Sequence, residues 1–250
     1  MSVRGPHAGL PLRVMNVSRT VGTQRTYRTF THKNAVYRIC CEAFDVITAE
    51  IIRQRRILED YIRCHPDFGH SFEPLEINNN APLIAQRMAK AARLASVGPM
   101  AAVAGAMAQC AVETVLEAGA KEAIVDNGGD IYLRVTGSVI IGLNSGATEL
   151  ADRLAFSLEP DDTPLAICSS SGQMGHSTSL GQCDLATVVS KDAALADAAA
   201  TQAANLVKKV EDVDVALEQI ANIDGVDGVM IVKDERVGLA GQCPPLVRIR

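Results

Sequence analysis

The sequence predicts an α+β fold in which helices cover one face of a largely antiparallel or mixed sheet. Helical patterns are concentrated in the first half of the chain, whereas short apolar strands are gathered in the second half. This segregation is typical of α+β architectures. The chain has no βαβ alternation with a GxGxxG fingerprint, which disfavours a Rossmann fold.

Five helices are predicted from apolar periodicity and end signals. Apolar side chains recur at helical spacing in residues 44–64. Pro82 suits the first turn of the second helix, and Pro99 and Gly119 delimit a third that is rich in small residues. Ser190 is the predicted cap of the fourth. The predicted ranges are 44–64, 82–94, 99–119, 192–210 and 213–220, with a connector at 65–82.

Strands are predicted where β-branched and aromatic residues alternate or form short apolar runs. Residues 25–40 contain one or two strands with a turn at Lys33 and Asn34. Residues 225–241 form a hairpin with Asp234 and Glu235 in its turn. The other predicted strands are 122–126, 130–135, 138–143, 164–168 and 184–189.

Length and composition indicate one soluble domain, residues 26–250, preceded by a flexible arm over residues 1–25. Hydrophobic residues make up 48% of the chain and aromatic residues only 4%, so we expect a core of Ala, Val, Ile and Leu. The arm lacks the apolar segment of a secretory signal. The longest apolar stretch, residues 99–112, is shorter than the roughly 20 residues of a membrane span, so no membrane partner is expected.

Charge and cysteine content argue against two further classes of protein. A net charge of -5 disfavours a nucleic-acid binder, because phosphate neutralisation needs a basic surface. The seven cysteines include no CxxC pair and no Cys/His spacing of a structural zinc site. Reduced thiols in a cytoplasmic protein are the expectation.

The segment "DNGGD", residues 126–130, has two interpretations. Asn-Gly between apolar runs is a strong signal for a tight hairpin. A minimal turn does not require the second glycine, however, and two residues without Cβ let a ligand phosphate or ring approach the backbone. On that hypothesis Asn127, Gly128, Gly129 and Asp130 contact a ligand.

The segment "ADAAAT", residues 196–201, places Asp197 and Thr201 four apart on one helix face. A carboxylate and a hydroxyl at this spacing suit part of a magnesium site that ligand phosphate and water complete. The alternative is a polar stripe on an alanine helix, with Thr201 bonded back to a carbonyl.

The segment "VGPMAAVAG", residues 97–105, is a candidate phosphate site because a helix N-terminus presents free N–H groups. Gly98 would be its ligand-binding residue. Close helix packing explains the same small residues equally well, and the GxxxxGK[ST] pattern of a P-loop is absent.

The segment "CSSSGQMGHSTSLGQCD", residues 168–184, places His176 among serines. Sequence neighbours rarely form a catalytic triad, and the GxSxG elbow is missing, so serine hydrolysis is the least favoured hypothesis. The segment fits better as one side of a ligand site, a polar stretch interrupted by glycines. Its residues would be Ser169, Ser170, Ser171, Gly172 and His176. Cys168 and Cys183 are expected to be buried thiols.

These motifs in this order resemble the signature of the ApbE-type FAD:protein FMN transferase superfamily. From about Phe44 onward, "VGPMAAVAG", "NGGDIY" and "SSSGQMGHS" are more similar still to an uncharacterised ApbE-like family. The resemblance implies that Gly128, Gly129 and Asp130 border a flavin nucleotide. It also implies that Asp197 and Thr201 bind magnesium at the pyrophosphate of FAD or a related nucleotide.

The chain departs from the transferases in two places. It has "GPMAAVAG" where they carry a Lys-Gly-Tyr run, and "GHSTSLGQCD" where they carry a His-Ile-(Ile/Leu)-Asp-Pro segment. His176 lies in the second region and is the candidate catalytic residue. A different phosphorylated ligand, or altered chemistry on it, fits these departures.

Three functions follow from the resemblance. The leading hypothesis is binding of a magnesium-linked nucleotide or flavin-type phosphate ligand. A non-catalytic accessory or partner protein in anaerobe sulfur or cofactor metabolism is the second. Transfer of FMN onto a threonine of an acceptor protein is the third. The small-residue helix after Pro99 also suits a homodimer interface.

Overall fold

The computed structural model describes residues 12–15, 25–144, 153–172 and 181–248. Its helices are α1 Phe44–Cys64, α2 Pro66–His70, α3 Leu83–Ala95, α4 Val103–Glu117, α5 Ala193–Leu206 and α6 Val213–Ala221. Its strands are β1 Leu12–Met15, β2 Arg28–His32, β3 Ala35–Cys40, β4 Ala123–Asn127, β5 Asp130–Arg134, β6 Val139–Leu143, β7 Leu154–Leu158, β8 Leu165–Ser170, β9 Leu185–Ser190, β10 Val226–Lys233, β11 Arg236–Gly241 and β12 Leu246–Arg248.

The strands form two sheets, and every pairing among the described strands is antiparallel. Eight strands follow the order β11-β10-β9-β8-β5-β4-β3-β2, and four follow the order β1-β6-β7-β12. The predicted α+β class is therefore confirmed. The sequence did not indicate that the strands divide between two sheets.

Two hydrophobic clusters give the molecule three layers. One cluster joins the helices to one face of the eight-stranded sheet. The other fills the space between that sheet and the four-stranded sheet, with side chains such as Ile131 from one and Phe156 from the other. The eight-stranded sheet is the middle layer, covered on both faces.

Most predicted elements are confirmed within a few residues. Four were missed: the short helix α2 inside the predicted connector, strand β1 inside the predicted arm, and strands β7 and β12. β12 has only three residues, and it pairs with β7 through long-range contacts that no local pattern reveals. The predicted cap of α5 is wrong by two residues. Asp192 is the cap and accepts from the Leu195 N–H at 3.2 Å, while Ser190 Oγ donates to the Gly225 carbonyl at 2.7 Å.

Two parts of the segment predicted as a flexible arm have definite partners. Strand β1 pairs with β6, with Leu12 opposite Leu143. Arg25 forms a bidentate ion pair with Glu122 at 2.8 and 2.9 Å.

The small-residue helix begins as a 3-10 turn, Pro99–Ala102, and continues as α4. In the described part of the chain, Pro99–Glu117 is the one helix long and apolar enough to span a membrane by length and composition. It packs against α1, α3, α5 and strands β4 and β5. Its apolar character is therefore accounted for by the protein core.

The register of the large sheet brings three predicted motifs to one edge. Asn127 and Asp130 are the last pair of the β4–β5 hairpin. Cys168 of β8 lies opposite Asp130, so the serines that follow it run on past the hairpin turn. The N-terminus of α4 approaches the same edge, because Asn127 Nδ2 donates to the Ala104 carbonyl at 3.2 Å.

Candidate functional site

The "DNGGD" segment forms a hairpin turn that is also open to a ligand. Gly128 and Gly129 have φ angles of +73° and +109°, values that favour glycine. A Cβ built on Gly128 would meet no atom within 4 Å among the described residues. The hairpin interpretation of the sequence is confirmed, and the space beside Gly128 is compatible with the ligand interpretation, which stays a prediction.

Asp197 is held by the crossing of α4 and α5. Its Oδ2 accepts the Gly105 N–H at 2.9 Å. One turn away, the Oε1 of Gln109 accepts the Ala193 N–H at 2.8 Å. Each helix therefore satisfies a free N–H group at the N-terminus of the other, as capping side chains do.

This crossing depends on Gly105. A Cβ on Gly105 would lie 2.1 Å from the Ala193 carbonyl oxygen and 3.0 Å from the Cβ of Asp197. Only glycine lets the two helices approach so closely. The packing interpretation of "VGPMAAVAG" is confirmed at this position.

Gly98 is also explained by packing. A Cβ there would lie 1.9 Å from the Ser71 carbonyl oxygen. The bond between Asn127 and Ala104 joins the glycine turn to α4, whereas Gly98 precedes the 3-10 turn and faces the backbone of Ser71. Its role in ligand binding stays a prediction.

Asp130 and Asp197 form a buried pair of carboxyl groups at the edge of the sheet. Both side chains are about nine-tenths buried. Burial raises the pKa of Asp197 to about 7, although N–H groups of Gly105 and Ala104 lower it. Burial, and then the charges of Asp197 and Asp126, raises the pKa of Asp130 well above its usual range. The two groups repel each other when both are ionised.

One oxygen of this pair has no protein partner. Within the described residues, Asp130 Oδ1 is buried and accepts no hydrogen bond. Buried polar atoms without partners are rare in folded proteins and are explained by an ion, water or function. Two buried carboxyl groups, one of them with an unpartnered oxygen, suit a cation.

Thr201 lies one turn beyond Asp197 on α5 and is 7% exposed. Asp197, Thr201 and Asp130 are the residues that fit magnesium, an ion that prefers oxygen ligands and retains water or ligand phosphate in its shell. Among the described residues, no three His, Cys, Asp or Glu side chains form a complete metal cluster. Oxygens from a bound phosphate would have to complete the shell.

The serine segment is partly explained by internal bonds. Ser169 Oγ lies 2.7 Å from Thr187 Oγ1, so this hydroxyl is paired inside the protein. Ser170 points to the opposite face of the strand, and its buried Oγ has no partner among the described residues. Ser171 is also buried. Ser170 is therefore the serine whose hydroxyl is available to a ligand.

Gly172 is the last residue of this serine segment that the structure describes before residue 181. Its N–H donates to the Cys183 carbonyl at 2.8 Å, and a Cβ would lie 2.3 Å from the Gly181 carbonyl oxygen. His176 lies outside the described residues, so its candidacy as a catalytic residue stays a prediction. Cys168 and Cys183 are buried and free, as the sequence predicts.

Sequence reasoning missed three residues that shape the site. Asp126 Oδ1 accepts the Gly129 N–H at 3.0 Å beneath the glycine turn. Gly105 and Gln109 form the helix crossing and lie four residues apart. That spacing puts them on one helix face, but it does not reveal that α5 is the neighbour.

The family model described as "AbpE bacteria" matches residues 38–226. Among curated relatives, a UPF0280 protein of Archaeoglobus fulgidus is 43% identical over 87% of this chain and 92% of its own length. A UPF0280 protein of Methanosarcina acetivorans is 41% identical over 80% of this chain and 79% of its own length.

Solved structures share the fold at low identity. Flavin transferase ApbE from Vibrio cholerae superposes with a TM-score of 0.55 at 13% identity, covering 87% of this chain and 96% of that one. The Pseudomonas stutzeri flavinyl transferase ApbE, apo form, gives 0.54 at 9% identity, covering 87% and 94%. The ApbE protein of Thermotoga maritima gives 0.52 at 13% identity, covering 90% and 97%. The chain belongs to the "AbpE bacteria" family of UPF0280 proteins, an ApbE-like family with the fold of the flavin transferases.

Proposed function

We propose that this protein binds a magnesium-linked nucleotide or flavin-type phosphate ligand at the edge of the large sheet, and that it transfers a flavin or nucleotidyl group from it. The observation that carries the proposal is the buried pair Asp130 and Asp197. Its raised pKa values and its unpartnered buried oxygen support a site that a cation would complete.

Each residue of the edge has a separate task in this proposal. The open space beside Gly128 would let a phosphate or ring lie close to the backbone of the turn. Asp197, Thr201 and Asp130 would hold magnesium, which neutralises the charge of a pyrophosphate when it is bound. Ser170 would donate its unpaired hydroxyl to the ligand.

The transfer step follows from the chemistry of a dinucleotide. The hydroxyl oxygen of an acceptor attacks the phosphorus of the FMN half of FAD. A new phosphoester bond forms, the bond from that phosphorus to the bridging oxygen breaks, and AMP leaves with the bonding electrons. The hydroxyl proton passes to a base, and His176 is the candidate from the sequence. The solved ApbE structures named as flavin transferases support this chemistry as an analogy of fold.

Isothermal titration with FAD, FMN and ATP, each with and without MgCl2, tests the binding half. We expect at least one ligand to bind with magnesium and to lose most of its affinity in EDTA. Asp197→Ala should abolish this magnesium effect, whereas Asp161→Ala, an exposed carboxylate in the turn Pro160–Asp162, should not. Magnesium-independent binding that Asp197→Ala leaves unchanged would contradict the metal role.

The transfer half has its own assay. FAD, MgCl2 and a threonine-bearing acceptor peptide should give a covalent fluorescent product whose mass exceeds that of the peptide by FMN less one water. Ligand binding without any product across several acceptors would remove the transferase and leave a ligand-binding accessory protein.

A further inference from the structure

We infer that Asp126 is a positioning residue of the ligand site, acting through the glycine turn without contacting the ligand. Its Oδ1 accepts the Gly129 N–H at 3.0 Å, which makes it the side chain that holds the turn from below. The residue is 1% exposed and is the last but one of strand β4.

The two faces of the strand separate Asp126 from the ligand. Successive side chains on a strand point to opposite faces. Ile124 belongs to the cluster between the sheets, so Asp126 shares that face. Asn127 points to the helix side, where it reaches Ala104. Asp126 therefore acts on the turn and not on a molecule bound above it.

The turn needs such a bond because it contains two consecutive glycines. Glycine has the largest backbone freedom of any residue, so an unrestrained Gly-Gly turn samples many conformations. Fixing the Gly129 N–H fixes the Gly128–Gly129 peptide, which lies one residue before Asp130. The position of the Asp130 carboxyl group, and of the open space at Gly128, then depends on Asp126.

Arg38 on the neighbouring strand β3 orients the carboxylate. Its Nη1 lies 3.8 Å from Asp126 Oδ2, and its guanidinium carbon lies 5.3 Å from the centre of the Tyr27 ring. Asp126 Oδ2 is buried without a hydrogen-bond partner among the described residues and has the Arg38 guanidinium as its nearby charge, while Oδ1 accepts the Gly129 N–H. Because 3.8 Å exceeds a hydrogen-bond distance, we expect a smaller effect for Arg38→Met than for Asp126→Ala.

The test compares Asp126→Ala with Asp126→Asn, since asparagine keeps an oxygen that accepts the Gly129 N–H. Thr163→Val is the matched control. Thr163 Oγ1 accepts the Val135 N–H at 3.2 Å beyond the far end of β5, so the control removes the same kind of bond away from the turn. Deuterium exchange of the backbone at residues 127–131 is measured without ligand. The affinity for FAD with MgCl2 is measured by titration.

We expect exchange at residues 127–131 to accelerate about tenfold in Asp126→Ala, the range that loss of one hydrogen bond gives, and to stay near the wild-type rate in Asp126→Asn and Thr163→Val. An exchange rate at residues 127–131 of Asp126→Ala equal to that of the wild type would overturn the inference. This readout needs no ligand, so it is independent of the proposed function.

The affinity measurement rests on the proposed function. If wild type binds FAD, Asp126→Ala should bind about tenfold more weakly, and Asp126→Asn should restore binding. Equal losses in the Ala and Asn variants would show that the charge, and not the bond to Gly129, matters, and would overturn the positioning role. If wild type does not bind FAD, the proposed ligand is wrong, and the exchange result still decides whether Asp126 holds the turn.

Discussion

The two faces of the large sheet are packed with different residues. The cluster on the helix face contains many alanines and the glycine-dependent crossing of α4 and α5. The cluster between the two sheets contains no alanine among its buried described residues and consists mostly of Ile, Leu and Val with Phe156. Small residues let helix backbones come close to the sheet, whereas large ones keep the layers apart.

The candidate site lies on the closely packed face. Asp197 reaches the sheet edge because Gly105 and Ala193 are in near contact. The opposite face of the large sheet, which packs against the four-stranded sheet, is called the sandwich face here. It supplies stability and, through Asp126, support for the turn. Substitutions of the apolar core residues on the sandwich face, unlike those of Asp126, should therefore change the free energy of unfolding alone. Those at the helix crossing should change both that free energy and ligand affinity.

The largest change in stability is expected for Phe156→Ala. Phe156 lies on β7 of the four-stranded sheet and packs against the sandwich face of the large sheet. Phe156 is fully buried, and truncation of a buried Phe costs about 3–5 kcal/mol. Urea unfolding measures this loss, and titration of the folded variant should show wild-type affinity for FAD with MgCl2. Phe72→Ala, which removes a ring that is 69% exposed, is the control and should leave stability nearly unchanged. Weaker affinity of folded Phe156→Ala for FAD would show that the core between the sheets also affects the ligand site.

The next largest effect is expected for Gly105→Ala. A methyl group there overlaps the Ala193 carbonyl, and overpacking of this kind costs about 1–3 kcal/mol. Separation of the helices also breaks the bond to Asp197, so magnesium-dependent binding should fall with stability. Gly137→Ala is the control, because the nearest contact of its Cβ is an ordinary 3.8 Å. Unchanged binding in Gly105→Ala would show that the crossing does not position Asp197.

A smaller effect concerns the pH dependence of stability without metal. Between the usual Asp pKa of 3.8 and the folded value of about 7 at Asp197, the folded state binds more protons than the unfolded state. This group therefore adds stability as pH falls through that window. Asp197→Asn keeps the acceptor for Gly105 and should remove this gain. Thermal melts at pH 5 and pH 7.5 compare the two proteins, and equal shifts in both would contradict the raised pKa.

The smallest effect is expected for Ser170→Ala. The hydroxyl is buried without a partner among the described residues, so its removal should leave stability unchanged or raise it by up to about 1 kcal/mol. Ligand affinity should fall at the same time. Ser169→Ala instead breaks the bond to Thr187 and should lower stability. A stability loss in Ser170→Ala equal to that in Ser169→Ala would show that the Ser170 hydroxyl also makes a stabilising hydrogen bond.

The sequence predicts the parts of the site that depend on neighbouring residues. The glycine turn at 126–130 and the shared face of Asp197 and Thr201 follow from local spacing, and the structure shows both elements. The meeting of Asp126, Asp130 and Asp197 depends on the register of β4, β5 and β8 and on a helix crossing, which are set by long-range packing. The second sheet was missed for the same reason, because β1 and β12 are short and pair with distant strands.

The raised pKa values of Asp130 and Asp197 predict that magnesium, if it binds this pair, displaces a proton near pH 7. Titration of the protein with FAD and MgCl2 at pH 7, in two buffers with different ionisation enthalpies, measures the protons released on binding. The account predicts release of about one proton or more, and clearly less release from Asp197→Asn. Tight binding with no proton release, or with the same release from the variant, would contradict it.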